Sequence, residues 1–131
     1  MTKIEIKKYL GIDYGTKRIG LAIGDSETRT AVVFNTVDNI KDILKIIKAE
    51  EIGIIIIGKP YSVVDKNYEL PENFKNFIND LKSKTDIEIK FEDERLSSKY
   101  ADSLVGDKKT KAGRDEIAAV SILQGYLDKI S

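Results

Sequence analysis

The chain has 131 residues, of which 41% are hydrophobic and 34% are charged, so it is long enough for one domain with a single core. Lys+Arg and Asp+Glu both count 22, so a surface that attracts polyanions must come from local clusters. The sequence has no cysteine and no histidine, which excludes disulfides, thiolate nucleophiles, Cys/His zinc sites and Ser-His-Asp catalysis. Because it lacks a signal-peptide pattern and a bilayer-spanning apolar stretch, we expect a cytoplasmic protein without a membrane partner.

The first third of the chain reads as three strands. Residues from Lys8 to Asp13 predict the first strand, and Gly15-Thr16 begins a tight turn. Residues from Arg18 to Ile23 predict the returning strand of a hairpin. The β-branched run from Thr30 to Val37 predicts a third strand, antiparallel to the second.

Helix and strand patterns then alternate. Apolar residues from Ile40 to Ile47 recur at helical spacing, with Asp38 as the expected N-cap and an end before Gly53. The run from Ile54 to Ile57 predicts a strand that is covered on both faces. A second helical pattern follows from Phe74 to Leu81.

The last strand and two helices complete the pattern. Ile87, Ile89 and Phe91 alternate with charged residues, which predicts a strand that ends at Asp93-Glu94. A short helix is expected over 98–105. A final helix is expected to start near Arg114 and to bury the residues Ala119, Leu123, Tyr126, Leu127 and Ile130.

This order predicts an α/β fold. Three antiparallel strands followed by strand–helix–strand crossovers give a mixed five-stranded sheet, antiparallel then parallel, with helices on both faces. The long irregular stretch over 61–72 is of the kind that is often functional in a compact domain.

Three carboxylates fall at the ends of predicted elements. Asp13 closes the first strand, Glu94 follows the last strand, and Asp115 lies in the first turn of the last helix. If the two strands are near neighbours and the helix packs over them, the three acids meet at the carboxyl end of the sheet. Strand alternation places Tyr9, Gly11 and Asp13 on one face, and Gly11 is expected to leave open space below Asp13.

Such a cluster is chemically suited to a metal site. Neighbouring carboxylates repel one another, and a divalent cation removes that penalty. Two Mg²⁺ or Mn²⁺ ions roughly 4 Å apart could activate water and stabilise the leaving oxygen of a phosphodiester. Each acid also has an ordinary interpretation: Asp13 as a turn residue, Glu94 as a surface ion-pair partner, and Asp115 as a favourable charge at a helix start.

Basic residues accompany all three acids. A cationic rim around a metal centre would bind a phosphate backbone without reading its sequence. A solvated charged loop is the alternative. The residues predicted to contact nucleic acid are Gly15, Thr16, Lys17, Arg18, Arg95, Lys108, Lys109, Lys111 and Arg114.

Three motifs, in order and over nearly the whole chain, resemble those of the YqgF (RuvX) family of the RNase H-like superfamily. They are the opening "GIDYGTKRIGLAIGD", the "FEDERLSS" segment, which is similar to the family's DERL(S/T)T motif, and the closing "RDEIAAVSILQGYLD". The resemblance implies a single RNase H-like domain over 1–131. It also implies that Asp13, Glu94 and Asp115 bind the metal, with Asp93 as a weaker candidate in the same motif.

The same resemblance implies a hydrolase that cleaves phosphodiesters. The expected role is 5′-end processing of pre-16S rRNA in ribosome biogenesis, and the alternative is Holliday-junction resolution on branched DNA, for which a homodimer would be suited. The sequence departs from the family after the central strand, where it reads "GKPYSVVDKNYELPEN"; it keeps Pro60, but Lys59 replaces an apolar residue.

Two other classes of protein stay open at this point. The "IDYGT" sequence also matches the phosphate loop of actin-like ATPases and sugar kinases, which close two such domains around a nucleotide. The other class is a non-catalytic nucleic-acid-binding module that kept the fold.

Overall fold

The computed structural model describes residues 6–15, 17–59, 71–93 and 114–130. Within these ranges the strands are β1 (Lys8–Tyr14), β2 (Ile19–Asp25), β3 (Val32–Val37), β4 (Ile54–Lys59) and β5 (Glu88–Asp93). The helices of the same ranges are α1 (Ile40–Ala49), α2 (Glu72–Lys84) and α3 (Arg114–Ile130). None of these helices combines the length and hydropathy that a membrane span requires.

The strands form one mixed sheet in the order β3-β2-β1-β4-β5. β1 pairs with β2, and β2 with β3, in antiparallel orientation, whereas β1, β4 and β5 are parallel. The predicted five-stranded sheet, antiparallel and then parallel, is therefore confirmed.

Two buried clusters cover the two faces of this sheet. On one face, β1 contributes Leu10 and Ile12, which pack with residues of α1 and α2 such as Ile43 and Phe77. On the other face, smaller residues such as Ala22 pack against α3. Helices therefore lie on both faces, as predicted. The four isoleucines of β4 are buried because their side chains alternate between the two clusters.

Helix α1 begins one residue later than the sequence suggested. The N-cap is Asn39, whose side-chain oxygen accepts a hydrogen bond from the Asp42 amide at 2.8 Å. The prediction of Asp38 was wrong because a cap must stand immediately before the first helical residue. The Asp38 carboxylate instead accepts a hydrogen bond from the Asn39 side chain.

Several predicted boundaries and burials also shift. β2 starts at Ile19 rather than Arg18, and β3 at Val32 rather than Thr30. Ile130 is 44% exposed because Leu127, one turn earlier, already contacts Gly24 near the amino end of β1. Tyr126 is only partly buried, although Ala119, Leu123 and Leu127 are buried as predicted. The short helix expected over 98–105 and most of the 61–72 stretch lie outside the described residues.

Candidate active site

Asp13 lies near the carboxyl end of β1, on the face that α3 covers. It pairs with Gly20 of β2 and is 8% exposed, which is unusual for a carboxylate. The predicted alternation is confirmed, because Tyr9 belongs to the α3-side cluster while Leu10 and Ile12 belong to the opposite one. The strand therefore presents a buried acid towards α3.

Gly11, two residues before Asp13, brings α3 close to the sheet. A Cβ atom at this position would lie 2.7 Å from the Leu123 Cβ and 3.0 Å from the Ala119 carbonyl oxygen. The expectation of open space at Gly11 was wrong, because the last helix fills that space. Glycine is needed here for close approach between helix and strand.

Contacts along α3 define its direction over β1. Leu123 lies against Gly11, whereas Leu127 lies against Gly24, whose partner in β1 is Tyr9. Residues further along α3 thus lie nearer the start of β1. The helix runs antiparallel to the strand, and its first turn lies at the end of the sheet where β1 terminates.

Asp115 belongs to that first turn, one helical turn before Ala119. Four helical residues rise about 6 Å, and the two strand residues from Gly11 to Asp13 rise about 6.8 Å. Because the Ala119 carbonyl lies against Gly11, the two rises indicate that the first turn of α3 lies towards the end of β1 that carries Asp13. The side chains of Asp115 and Arg114 lie outside the described part of the chain.

The end of β5 lies at the same edge of the sheet. Continuing the β1–β4 register by one residue brings Asp13 beside Gly58, and Gly58 pairs with Glu92. The strand ends at Asp93, as predicted, although its side chain is not described. Glu94 follows directly and lies outside the described residues, so the structure tests only the position of the strand that leads to it.

Glu92 is a buried acid that the sequence interpretation missed. It is 5% exposed, accepts a hydrogen bond from the Lys129 amine, and has its Cγ atom 3.8 Å from a Cβ built at Gly125. Strand alternation places Glu92 on the same face of β5 as Glu88 and Lys90, and this pattern of charged residues predicts an exposed face. Gly125, inside the last helix, was the available signal that a strand side chain approaches α3 there.

Two exposed cations stand beside this edge. Lys17 and Arg18 occupy the turn between β1 and β2, and together with Asp38 and Asp42 they line a groove of about 540 Å³. Gly15 closes the turn, since a Cβ atom there would lie 2.6 Å from the Arg18 carbonyl oxygen. The other predicted contacts, which are Thr16, Arg95, Lys108, Lys109 and Lys111, lie outside the described residues.

Two titratable groups on the α3 face, Tyr9 and Lys90, have raised pKa values. Burial, and then the neighbouring Tyr126, raise the pKa of the Tyr9 phenol above 10.0. The Lys90 amine lies 5.6 Å from the Tyr126 ring centroid, and a hydrogen bond to Tyr126 is the main cause that raises its pKa above 10.5. At neutral pH the Tyr9 phenol is therefore uncharged and the Lys90 amine is positively charged.

Within the described residues, no group of three or more acidic side chains is close enough to hold a metal ion. Only Asp13 of the three predicted ligands has a described side chain. A buried carboxylate at a strand end is a suitable oxygen ligand for Mg²⁺ or Mn²⁺. Of the predicted metal site, the structure therefore describes one carboxylate, that of Asp13.

The strand order, the crossovers and the helix over β1 define an RNase H-like fold. A solved structure with this architecture is "T. thermophilus RuvC in complex with Holliday junction substrate", which matches with a TM-score of 0.66 at 10% identity and 95% coverage of both chains. A second structure of Thermus thermophilus RuvC matches with a TM-score of 0.64 at 10% identity, covering 94% of this chain and 95% of that one.

Sequence comparison identifies the family. The model described as "RuvX: Holliday junction resolvase" matches residues 7–129. The chain is 36% identical to a protein of Endomicrobium trichonymphae named "Putative pre-16S rRNA nuclease", over 94% of this chain and 96% of that one. It is 34% identical to a protein of the same name from Maridesulfovibrio salexigens, over 92% of this chain and 97% of that one. The chain belongs to the RuvX family.

Membership confirms the predicted class of enzyme, a nuclease that hydrolyses phosphodiester bonds. It favours this class over a kinase-type phosphate-binding domain and over a non-catalytic module.

Proposed function

We propose that this nuclease holds one or two divalent cations between Asp13, Glu94 and Asp115 and processes the 5′ end of pre-16S rRNA. The observation that carries the proposal is the close packing of α3 on Gly11, which places the first turn of α3 towards the end of β1 that carries the buried Asp13. Glu94 enters from the family motif and from the position of β5 beside β4.

The chemistry follows from these groups. A bound Mg²⁺ or Mn²⁺ would lower the pKa of an attacking water and neutralise charge on the scissile phosphate. The buried setting of Asp13 limits competition from bulk solvent and fixes its carboxylate on the rigid end of β1. Lys17 and Arg18 would hold the phosphate backbone beside it. The products would be a 5′-phosphate and a 3′-hydroxyl.

Relatives named as pre-16S rRNA nucleases support the RNA substrate, and such a substrate implies the cytoplasm as the compartment. The family description and the RuvC-like fold favour a second candidate, a branched DNA junction. A resolvase would act as a two-fold dimer, whereas an RNA-trimming enzyme has no need of one.

The first test is substitution of Asp13. Asp13→Asn should lower cleavage of a pre-16S 5′-leader RNA by more than about 100-fold. This loss exceeds the one that follows when a residue that only hydrogen-bonds to a metal ligand is substituted. Cleavage is measured with Mg²⁺ and with Mn²⁺, and the thermal midpoint is recorded to show that the fold is retained. Asp86→Asn, at an exposed position between α2 and β5, is the matched control and should cleave normally. Normal cleavage by Asp13→Asn would contradict the proposal.

A second experiment separates the two substrates. Depletion in the source organism, followed by mapping of 16S rRNA 5′ ends, should reveal accumulated precursor if the RNA role is correct. Normal ends, combined with Asp13-dependent cutting of a four-way DNA junction, would instead support the resolvase role.

A further inference from the structure

A groove between α1 and α2 opens at the same edge of the sheet as Asp13. We call it the α1–α2 groove; it has a volume of about 550 Å³. Its apolar floor includes Tyr14, Ile40 and Phe77, and its polar rim includes Asp38, Asn76 and Asp80. Polar and charged side chains make up more than half of the lining, so the groove suits a ligand that combines a flat apolar face with a polar edge.

The groove and Asp13 lie at the same end of β1 but on opposite faces of the sheet. Tyr14 follows Asp13 in β1, and consecutive strand residues project to opposite faces of the sheet. A nucleic-acid strand that passes Asp13 can cross the sheet edge at Gly15, which also lines the groove and carries no side chain. A base next to the scissile phosphate can therefore reach the groove.

The floor offers a flat aromatic surface. The Tyr14 and Phe77 rings are stacked with centroids 4.5 Å apart, and the centroid of a third ring, Phe74, lies 6.0 Å from that of Tyr14 in an edge-on arrangement. Phe77 is buried, which fixes the position of the pair, while Tyr14 stays partly exposed. Aromatic rings held in this way are the usual platform for an unpaired base.

The rim of the groove carries no net charge, because Lys41 and Lys84 line it together with Asp38 and Asp80. Asn76 is exposed on α2, so its amide can both donate to and accept from a ligand. The Asp80 carboxylate is paired with the Lys84 amine at 2.9 Å, so each compensates the charge of the other. The Asn76 amide and the Asp38 carboxylate can accept hydrogen bonds from the amino groups of adenine and cytosine, and the stacked rings beside them suit the flat face of a base.

We propose that the α1–α2 groove binds an unpaired nucleobase of the substrate, on a nucleotide close to the scissile phosphate. This inference rests on the proposed nuclease function. Lys17 and Arg18 line the adjoining groove, which shares Asp38 with the α1–α2 groove, and they hold the phosphate of the same nucleotide. The base rests against Tyr14, and the rim favours bases that carry an exocyclic amino group.

The test uses nucleoside 5′-monophosphates as probes. Two-dimensional NMR of the whole chain without metal is recorded during titration with AMP, CMP, GMP and UMP, with ribose 5-phosphate as the probe that lacks a base. AMP, CMP and GMP should shift the signals of Tyr14, Asn76 and Phe77, and the base protons should move upfield through stacking. UMP should bind more weakly, and ribose 5-phosphate should shift only residues near Lys17 and Arg18.

A matched pair of substitutions on α2 localises the binding. Asn76→Ala should weaken CMP binding by about tenfold, the lower range for losing a specific contact to a base edge. Asn79→Ala changes the same residue type on the same helix but lies outside the α1–α2 groove, and it should bind CMP as wild type does.

These binding measurements test the α1–α2 groove separately from the proposed catalytic site. If all nucleotides act as ribose 5-phosphate does, or if the two variants bind equally, the proposal is overturned. Equal binding of UMP and CMP overturns the role given to the rim. Because nucleotide binding is measured without metal, the titration can be repeated with Asp13→Asn. If that variant binds nucleotides as wild type does and also cleaves RNA fully, the proposed catalytic site is refuted, whereas the groove proposal stands.

Discussion

The two faces of the sheet differ in the size and polarity of the side chains that they bury. The cluster beneath α1 and α2 consists of Leu, Ile, Val and Phe, whose bulk separates helix from strand. The cluster beneath α3 is rich in alanine, and on this face Gly11 lets the helix backbone approach the strand. The buried acids Asp13 and Glu92 both lie on the α3 face. Large apolar residues supply stability, whereas small residues bring polar groups of distant segments together.

The largest effect on stability is expected beneath α1 and α2. Leu81→Ala removes a fully buried side chain and should lower the free energy of unfolding by about 2–5 kcal/mol. Urea unfolding measures the loss. Cleavage per folded molecule, assayed well below the new melting temperature, should stay normal. A large loss of cleavage at that temperature would show that the two faces are not independent.

Substitution of Gly11 should lower stability less than Leu81→Ala does, but it should also reduce cleavage. Gly11→Ala forces α3 away from β1 and should cost about 1–3 kcal/mol. It should also reduce cleavage of the folded protein, because the first turn of α3 moves relative to Asp13. Gly53→Ala is the control: its Cβ would meet the Lys8 carbonyl oxygen at 3.7 Å, an ordinary contact, so stability and activity should both be retained. Equal behaviour of the two variants would remove the argument from close packing.

The ion pair between the exposed Lys129 and the buried Glu92 should respond unequally to loss of either partner. Lys129→Ala leaves the Glu92 carboxylate buried without its partner and should cost about 1–3 kcal/mol. Glu92→Gln removes the charge and should cost less. Lys84→Ala, which breaks the exposed pair with Asp80, should cost only about 0.3–0.5 kcal/mol. Equal losses in urea unfolding for both lysine variants would mean that Glu92 needs no partner.

The smallest effect is a dependence on pH. Asp25 accepts hydrogen bonds from the Thr28 amide and hydroxyl and from the Glu27 amide, and chiefly the Thr28 amide bond holds its pKa below the ordinary value of 3.8. Its ionised form therefore adds stability above pH 3.8, which is lost as pH falls through the lowered value. Asp25→Asn should be less stable than wild type near neutral pH, and the difference should disappear in acid. A constant difference across that range would contradict this assignment.

Local patterns were enough to predict the sheet. The period of two in β1 assigned Asp13 to the face opposite Leu10, and the isoleucine run identified the strand buried on both sides. The contact between Gly11 and Leu123 could not be predicted, because it joins distant segments and depends on the distance between helix and sheet. The same limit applies to Glu92, whose strand pattern resembles that of an exposed edge. The assignments of Glu94 and Asp115 stay predictions, because Glu94 and the side chain of Asp115 lie outside the described part of the chain.

The position of α3 has a consequence for how the molecule is made. Synthesis delivers β1 long before α3, and during that interval Tyr9, Ala22 and Ile56 have no cover on their side of the sheet. Pairing this strand with the closing helix bridges most of the polypeptide, a slow kind of step in folding. Docking of α3 then covers this apolar face and brings the first turn of the helix to the end of β1 in one event. Partly synthesised molecules should accordingly expose apolar surface and associate with one another unless they are shielded.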